Sequence, residues 1–395
     1  MFKKILTLSF ILALFCLFNA NMTAAPIISG NYEYYLNEDG NTITLSKYLG
    51  NEVNVVIPSE LDGYDVSKLS NTFDGNNTVK SIEIPYNGRT AIYFNSFRGC
   101  ANLEKVILPK IFIYMEDAFT GCTSLKEIIV PEDTTTLKSV DGVLYNKDMT
   151  TLLICPNGIT GEFVVPASVN ALGYMGDDAF SGCEFITNIV IHDGVTWLGG
   201  DTFENCKSLE SITIPKGVQG ISGQIFRGCT NLKNIYIDKD NEYYKSVDGI
   251  VYSKDGSKIV RYPTGRTDTK FTIPNSVTEI KLNAFADCYS LTEVYLPDTI
   301  TTVEGFYNCI NLVTITIPSS VTKIESWAFA YCKKLEEVIF EGDALEVDRY
   351  TFYEVNPNFT IYYTDGTQGW TTPEFNGLKC YPISQKATIQ QNLKQ

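Results

Sequence analysis

The sequence predicts a repeat solenoid of short parallel strands joined by turns, and three observations lead there. Phe-x-x-Cys opens at Phe203 and returns at Phe226, which sets Cys206 and Cys229 23 residues apart. Leu209, Ile212 and Ile214 lie between them, followed by Pro215. The same phrase recurs along most of the 395 residues. A unit this short cannot bury its own apolar residues, so it must stack on copies of itself.

Met1 to Ala25 has the layout of a secretory leader: Lys3 and Lys4, a mostly apolar run from Ile5 to Phe18, and the small residues Thr23-Ala24-Ala25 before a cleavage site. The run is shorter than the roughly 18–20 apolar residues of a membrane span. Cys16 follows Phe15 rather than a small residue, which argues against a lipoprotein site. No second long apolar run follows, so no integral membrane segment is expected once the leader is removed. Residues 26–75 read as an amino-terminal cap and first rung. Asp39-Gly40 marks a hairpin turn between β-prone runs, Val53 to Pro58 is the first strand-and-proline phrase, and NTFDGNN carries Asn76 at the cysteine place.

The array is expected over residues 76–360. Its strand phrase (apolar-x-x-apolar-x-apolar, usually closed by proline) recurs at Val79–Pro85, Leu103–Pro109, Leu125–Pro131, Ile186–His192, Leu209–Pro215, Leu232–Asp238, Leu291–Pro297, Leu312–Pro318 and Leu335–Glu341. Alternation within it suits a half-buried strand, and proline stops the ladder because it has no N–H to give. A second short apolar run follows, as in Val277–Ile280, then Ala-Phe, whose ring is expected to plug the core from a turn of helix or 3-10 helix. Two related insertions, near 139–161 and 246–269, begin SVDGVLY and SVDGIVY and read as projecting β-hairpins with turns at Lys147-Asp148 and Lys254-Asp255. Cys155 and Arg261 read as equivalent positions in them. Residues 361–383 read as a carboxy-terminal cap that lids the core with Trp370 and Phe375, and residues 384–395 as a flexible tail.

Eight of the eleven cysteines hold one place in the repeat: Cys100, Cys122, Cys183, Cys206, Cys229, Cys288, Cys309 and Cys332. A column of buried thiols is the favoured reading. Adjacent rungs about 4.8 Å apart leave occasional disulfide pairing open. The spacing offers no chelating C-x₂-C pair, so no zinc site is expected.

Formal net charge is −15, which argues against nucleic acid or an anionic membrane as general partner. No catalytic constellation assembles, so no enzyme and no cofactor is expected. The single histidine, His192, takes a proline place and reads as a turn residue rather than a base. Asp238, Asp240 and Glu242 resemble the start of a calcium loop, but Tyr243 stands where that loop needs glycine. Glu336 and Glu337 alternate to opposite faces of a strand and cannot act as an acid/base pair.

Binding is the better prospect, because stacked strands expose one residue per rung in register. The residue between the last two apolar positions should point outwards, and that column supplies the candidate ligand-binding residues Ile107, Ile129, Val190, Tyr236, Tyr295 and Ile339, with Thr213 and Thr316. The column before it is polar: Lys105, Glu127, Asn188, Ser211, Asn234, Glu293, Thr314 and Glu337. Ordinary β-propensity accounts for such residues equally well.

The phrases AFTGCTSLKEIIVP, NCKSLESITIP and AFADCYSLTEVYLP resemble the BspA-like leucine-rich repeat family over about residues 30 to 380. The resemblance implies a leucine-rich repeat solenoid that is secreted or surface-displayed. It also implies an adhesin-like, non-catalytic role towards extracellular protein or glycan on matrix or cell surfaces. The alternative is a rigid spacer or envelope component without a specific ligand.

Overall fold

The structure, a computed structural model, describes residues 25–85, 90–92, 95–109, 118–173 and 179–392. The expected leader lies outside them except for Ala25. The chain divides into two compact units, one ending at Lys147 and the other beginning at Asp148.

The first unit opens with an antiparallel run of Ile27–Ser29, Tyr32–Leu36 and Thr42–Tyr48. The Asp39-Gly40 turn closes through a bond from Gly40 N–H to Asn37 O at 3.0 Å. Thr42–Tyr48 then pairs in parallel with Tyr64–Leu69, and that strand with Ala91–Ile92. A separate parallel ladder runs through Asn54–Val56, Ser81–Glu83, Lys105–Ile107 and Glu127–Ile129. Each rung therefore gives its long apolar phrase to one ladder and its short phrase to another. The second unit repeats this plan. Its long phrases pair as Gly161–Val164 with Ile186–Val190, and Ser211–Ile214 with Asn234–Ile237. A longer ladder continues from Lys270–Thr272 through Glu293–Tyr295, Thr314–Ile317, Glu337–Phe340 and Thr360–Tyr363 to Leu378–Pro382.

Spacing within the repeat sets which residues face inwards. In one rung Phe203, Cys206, Leu209, Ile212 and Ile214 are all buried. The phenylalanines stack ring on ring along each interior. Phe97 and Phe119 sit 5.3 Å apart in the first unit. In the second, Phe285, Phe306, Phe329 and Phe352 follow at 4.8, 5.4 and 5.5 Å with planes within 10° of parallel. These rings sit on hydrogen-bonded turns that also bond rung to rung, as in Phe306 N–H to Ala328 O at 3.0 Å.

All ten cysteines of the described residues are free and buried. The column has a polar function as well as an apolar one. Cys122 Sγ donates to Phe97 O at 3.0 Å, Cys229 to Phe203 O at 2.9 Å, and Cys309 to Phe285 O at 3.0 Å. The receiving carbonyl already accepts an N–H within its own turn, such as Cys100 N–H on Phe97 O. The thiol fills the second lone pair of a carbonyl that has no access to water. Alanine or valine would leave that position empty. Where the first rung has Asn76, its amide oxygen instead accepts Thr78 and Val79 N–H at 2.9 and 3.0 Å.

The second insertion differs from a projecting hairpin. Tyr244–Val247, Ile250–Ser253 and Lys258–Arg261 form a three-stranded antiparallel meander, and its last strand starts a parallel ladder with Glu279–Ile280. Ile250, Val251 and Tyr252 are buried in succession, so the middle strand is covered on both faces. The equivalence of Cys155 with Arg261 is also corrected. Cys155 N–H bonds Ala179 O and Tyr262 N–H bonds Ala284 O, each at 2.7 Å, so Cys155 matches Tyr262 and Ile154 matches Arg261. Arg261 is fully buried. Its guanidinium donates to the carbonyls of Gly223 and Asn283 at 2.9 and 2.5 Å, and to those of Ala286 and Phe226 at 3.3 and 3.5 Å.

At the carboxy-terminal end Trp370 stacks on Tyr363 at 5.3 Å, touches Phe340 and Phe375 at 4.9 Å each, and donates its indole N–H to Gly342 O. Residues 384–392, expected as flexible, are held instead. Ser384 bonds Asp365, and the short helix Lys386–Asn392 places Lys386 Nζ 2.7 Å from Glu337 and over the Tyr362 ring.

Candidate strand-face binding site

The outward column is real as geometry. In the first unit Val56, Glu83, Ile107 and Ile129 stand in register on successive strands. In the second, Val164 faces Val190, Thr213 faces Tyr236, Thr272 faces Tyr295, and Thr316, Ile339 and Tyr362 follow one another. At least one neighbour of each is buried, and around Ile107 both Val106 and Leu108 are.

Exposure along this column is uneven. Tyr236 and Tyr295 are each 48% exposed and Val190 42%. Ile107, Ile129 and Ile339 are half-buried. Two exposed members went unread in the sequence, Val56 and Val164. The signal was available, since each stands two residues before a proline, as Ile107 and Tyr295 do.

The column is also interrupted. In the second unit the insertion takes the edge of Asn234–Ile237, with Ile235 N–H on Gly249 O at 2.9 Å and Ser246 Oγ on Ile235 O at 2.7 Å. The next ladder starts afresh at Lys270–Thr272. In the first unit Gly142 O takes Ile128 N–H in the same way. The tail helix ends the face at Glu337 and Tyr362.

The polar column beside it is largely self-paired. Lys105 meets Glu127 at 3.3 Å, Lys270 meets Glu293 at 2.8 Å, Asn188 meets Glu162 at 2.7 Å, and Thr314 meets Glu337 at 3.3 Å. These exposed pairs contribute little stability, but they leave the apolar column as the part of the face still open to a partner.

The residues singled out for chemistry sit elsewhere. His192 has both ring nitrogens on backbone, Nε2 at 3.0 Å from Pro166 O and Nδ1 accepting Gly194 N–H at 3.1 Å. Neither nitrogen is left for a substrate. Asp238 accepts Asp240 N–H at 2.8 Å in a turn. Among the described residues no group of three or more His, Cys, Asp or Glu could hold a metal ion, and no helix is long and apolar enough to cross a membrane.

A model of the BspA-type leucine-rich repeat region matches residues 65–161, 161–247 and 266–372, in six copies. The chain belongs to this family. Its fold is accordingly that of the leucine-rich repeat proteins, a repeat architecture of a non-enzymatic kind. No curated protein matches the chain. Among solved structures it is similar to a leucine-rich cell surface protein of Faecalibacterium prausnitzii, at 25% identity over 88% of this chain and 96% of that one, with a TM-score of 0.50. It is also similar to the pneumococcal vaccine antigen PcpA, at 20% identity over 93% and 96% of the two chains and a TM-score of 0.47.

Proposed function

We propose that this leucine-rich repeat protein is exported and serves as a non-catalytic, adhesin-like module that binds an extracellular protein or glycan through its strand face. The leader-like residues 1–25 and the F. prausnitzii cell surface protein support export or display. The observation that carries the binding reading is the exposed column of Val164, Val190, Tyr236 and Tyr295 beside a polar column that is largely self-paired. A spacer gains nothing from exposed tyrosine and valine, whereas interfaces concentrate aromatic side chains at their centres. A flat strand surface suits a protein partner best.

The test is an array of immobilised matrix proteins and glycans, probed with the chain and with a Tyr236→Ser/Tyr295→Ser variant. The variant is expected to lose at least tenfold in affinity for whatever the parent binds. Its melting temperature should stay within about 0.5 kcal/mol equivalent of the parent, as is usual for surface positions. Undiminished binding by the variant would exclude the face. Unfolding would show that the tyrosines belong to the interior.

A further inference from the structure

The turn surface of the second unit carries a departure from the repeat that the strand-face reading does not use. Residues 283–287 read Asn-Ala-Phe-Ala-Asp, and residues 327–331 read Trp-Ala-Phe-Ala-Tyr. The two pentapeptides differ only at their ends. Both ends have left-handed backbone in both rungs: φ is 61° at Asn283 and Asp287, 64° at Trp327 and 62° at Tyr331. Elsewhere the first of these places, where left-handed, is held by Asn71 or Asn95. The second is held by Gly75, Gly99, Gly121, Gly182, Asn205, Gly228 or Asn308, and in the rung after Tyr331 by Glu354 at φ 54°. Glycine and asparagine tolerate positive φ, and bulky aromatics do not. Aromatic residues kept at both places of one rung, when the rung two before it has Asn283 and Asp287, point to use of the side chains.

The side chains gather with rings from adjoining rungs. Trp327 stacks on Tyr350 at 4.7 Å and 11°, and meets Tyr353 at 5.7 Å. Tyr307, Tyr331 and Tyr353 follow rung by rung at 5.4 and 5.6 Å. Trp327 remains 40% exposed with Tyr350 stacked on it. Arg349 lies over the far side of Tyr350 at 4.5 Å.

We propose that this aromatic row is a second binding site, for a neutral oligosaccharide. The exposed part of the Trp327 indole suits the apolar C–H face of a pyranose ring, with the edge-to-face tyrosines of the adjoining rungs packed beside it. The nearby cations are engaged, Lys333 by Glu354 and Arg349 by the Tyr350 hydroxyl. The chain as a whole carries −15, so sulfated or uronic glycans are repelled.

The deciding variant is Trp327→Asn/Tyr331→Asp, which installs the residues of the Asn283 and Asp287 rung, with Trp327→Gly as a second. The probes are immobilised linear homo-oligosaccharides of glucose, mannose, galactose and N-acetylglucosamine in their common linkages, with titration calorimetry on any that bind. The full chain is expected to bind at least one. Both variants should lose at least tenfold in affinity and melt at or above the parent temperature. The site is refuted by no binding to the panel, by equal binding of the variants, or by a lower melting temperature in both, which would make the rings structural. Trp327-dependent capture of a protein in place of any sugar refutes it too.

Discussion

Replacing Phe306 with alanine is expected to lower stability by about 3–5 kcal/mol, the range for emptying a buried aromatic site. Its ring is fully buried between Phe285 and Phe329, parallel to both within 10°. Collapse into the cavity is opposed from both sides, because each neighbour is held by its own stack and by rung-to-rung backbone bonds. The loss should appear as a lower urea midpoint for the second unit. Phe306→Leu keeps most of the volume and should cost less. The Tyr236→Ser/Tyr295→Ser variant removes two aromatic rings of the outer column and should hardly move the midpoint. Equal effects at inner and outer positions would contradict the inside-outside assignment.

Alkaline pH should destabilise the protein steeply through its thiols. Burial holds the Cys183, Cys206 and Cys309 thiols well above their ordinary range and pushes Cys229 and Cys288 up to about 12. Cys122 is raised as well, by its hydrogen bonding to Cys100 and by burial. A group whose folded pKa is raised gives stability that is complete below its unfolded pKa and is lost as pH rises towards the folded value. Above about pH 9 the unfolded chain therefore binds fewer protons than the folded one, and the slope of stability against pH is negative. Each thiol that is ionised in the unfolded chain and neutral in the folded one costs about 1.4 kcal/mol per pH unit, so six together remove on the order of 10 kcal/mol between about pH 9 and 11. Thermal melts across that range should show a steep fall. At pH 8 a thiol reagent should label the native chain only as fast as it unfolds, and the denatured chain at once. A flat melting temperature from pH 8.5 to 10.5, or rapid labelling of the native chain, would show that the column is open.

Much of this was legible in the sequence because the repeat states each inner column many times. Phe203, Cys206, Leu209, Ile212 and Ile214 face inwards for reasons of spacing alone, and the neighbouring rungs say so again. Edges were not legible. Alternation gives the face of a residue but not the strand that pairs with it, so the second insertion read as a hairpin instead of a meander feeding a new ladder. The thiol–carbonyl bonds were missed because cysteine in an apolar column looks like any small hydrophobe. The tail is held by long-range contacts, Ser384 with Asp365 and Lys386 with Glu337 and Tyr362, which no local pattern announces. The left-handed places were readable only by comparison between rungs. Asn-Ala-Phe-Ala-Asp against Trp-Ala-Phe-Ala-Tyr shows the substitution, but the backbone makes it a strain.

The central claim is that neighbouring rungs share one interior, so that damage to one is felt by the next. Hydrogen exchange of the Phe306→Ala variant tests it most directly. Faster exchange is predicted across Glu293–Tyr295, Thr314–Ile317 and Glu337–Phe340 together. Loss of protection confined to the rung of residue 306, with both neighbours as slow as in the parent, would contradict it.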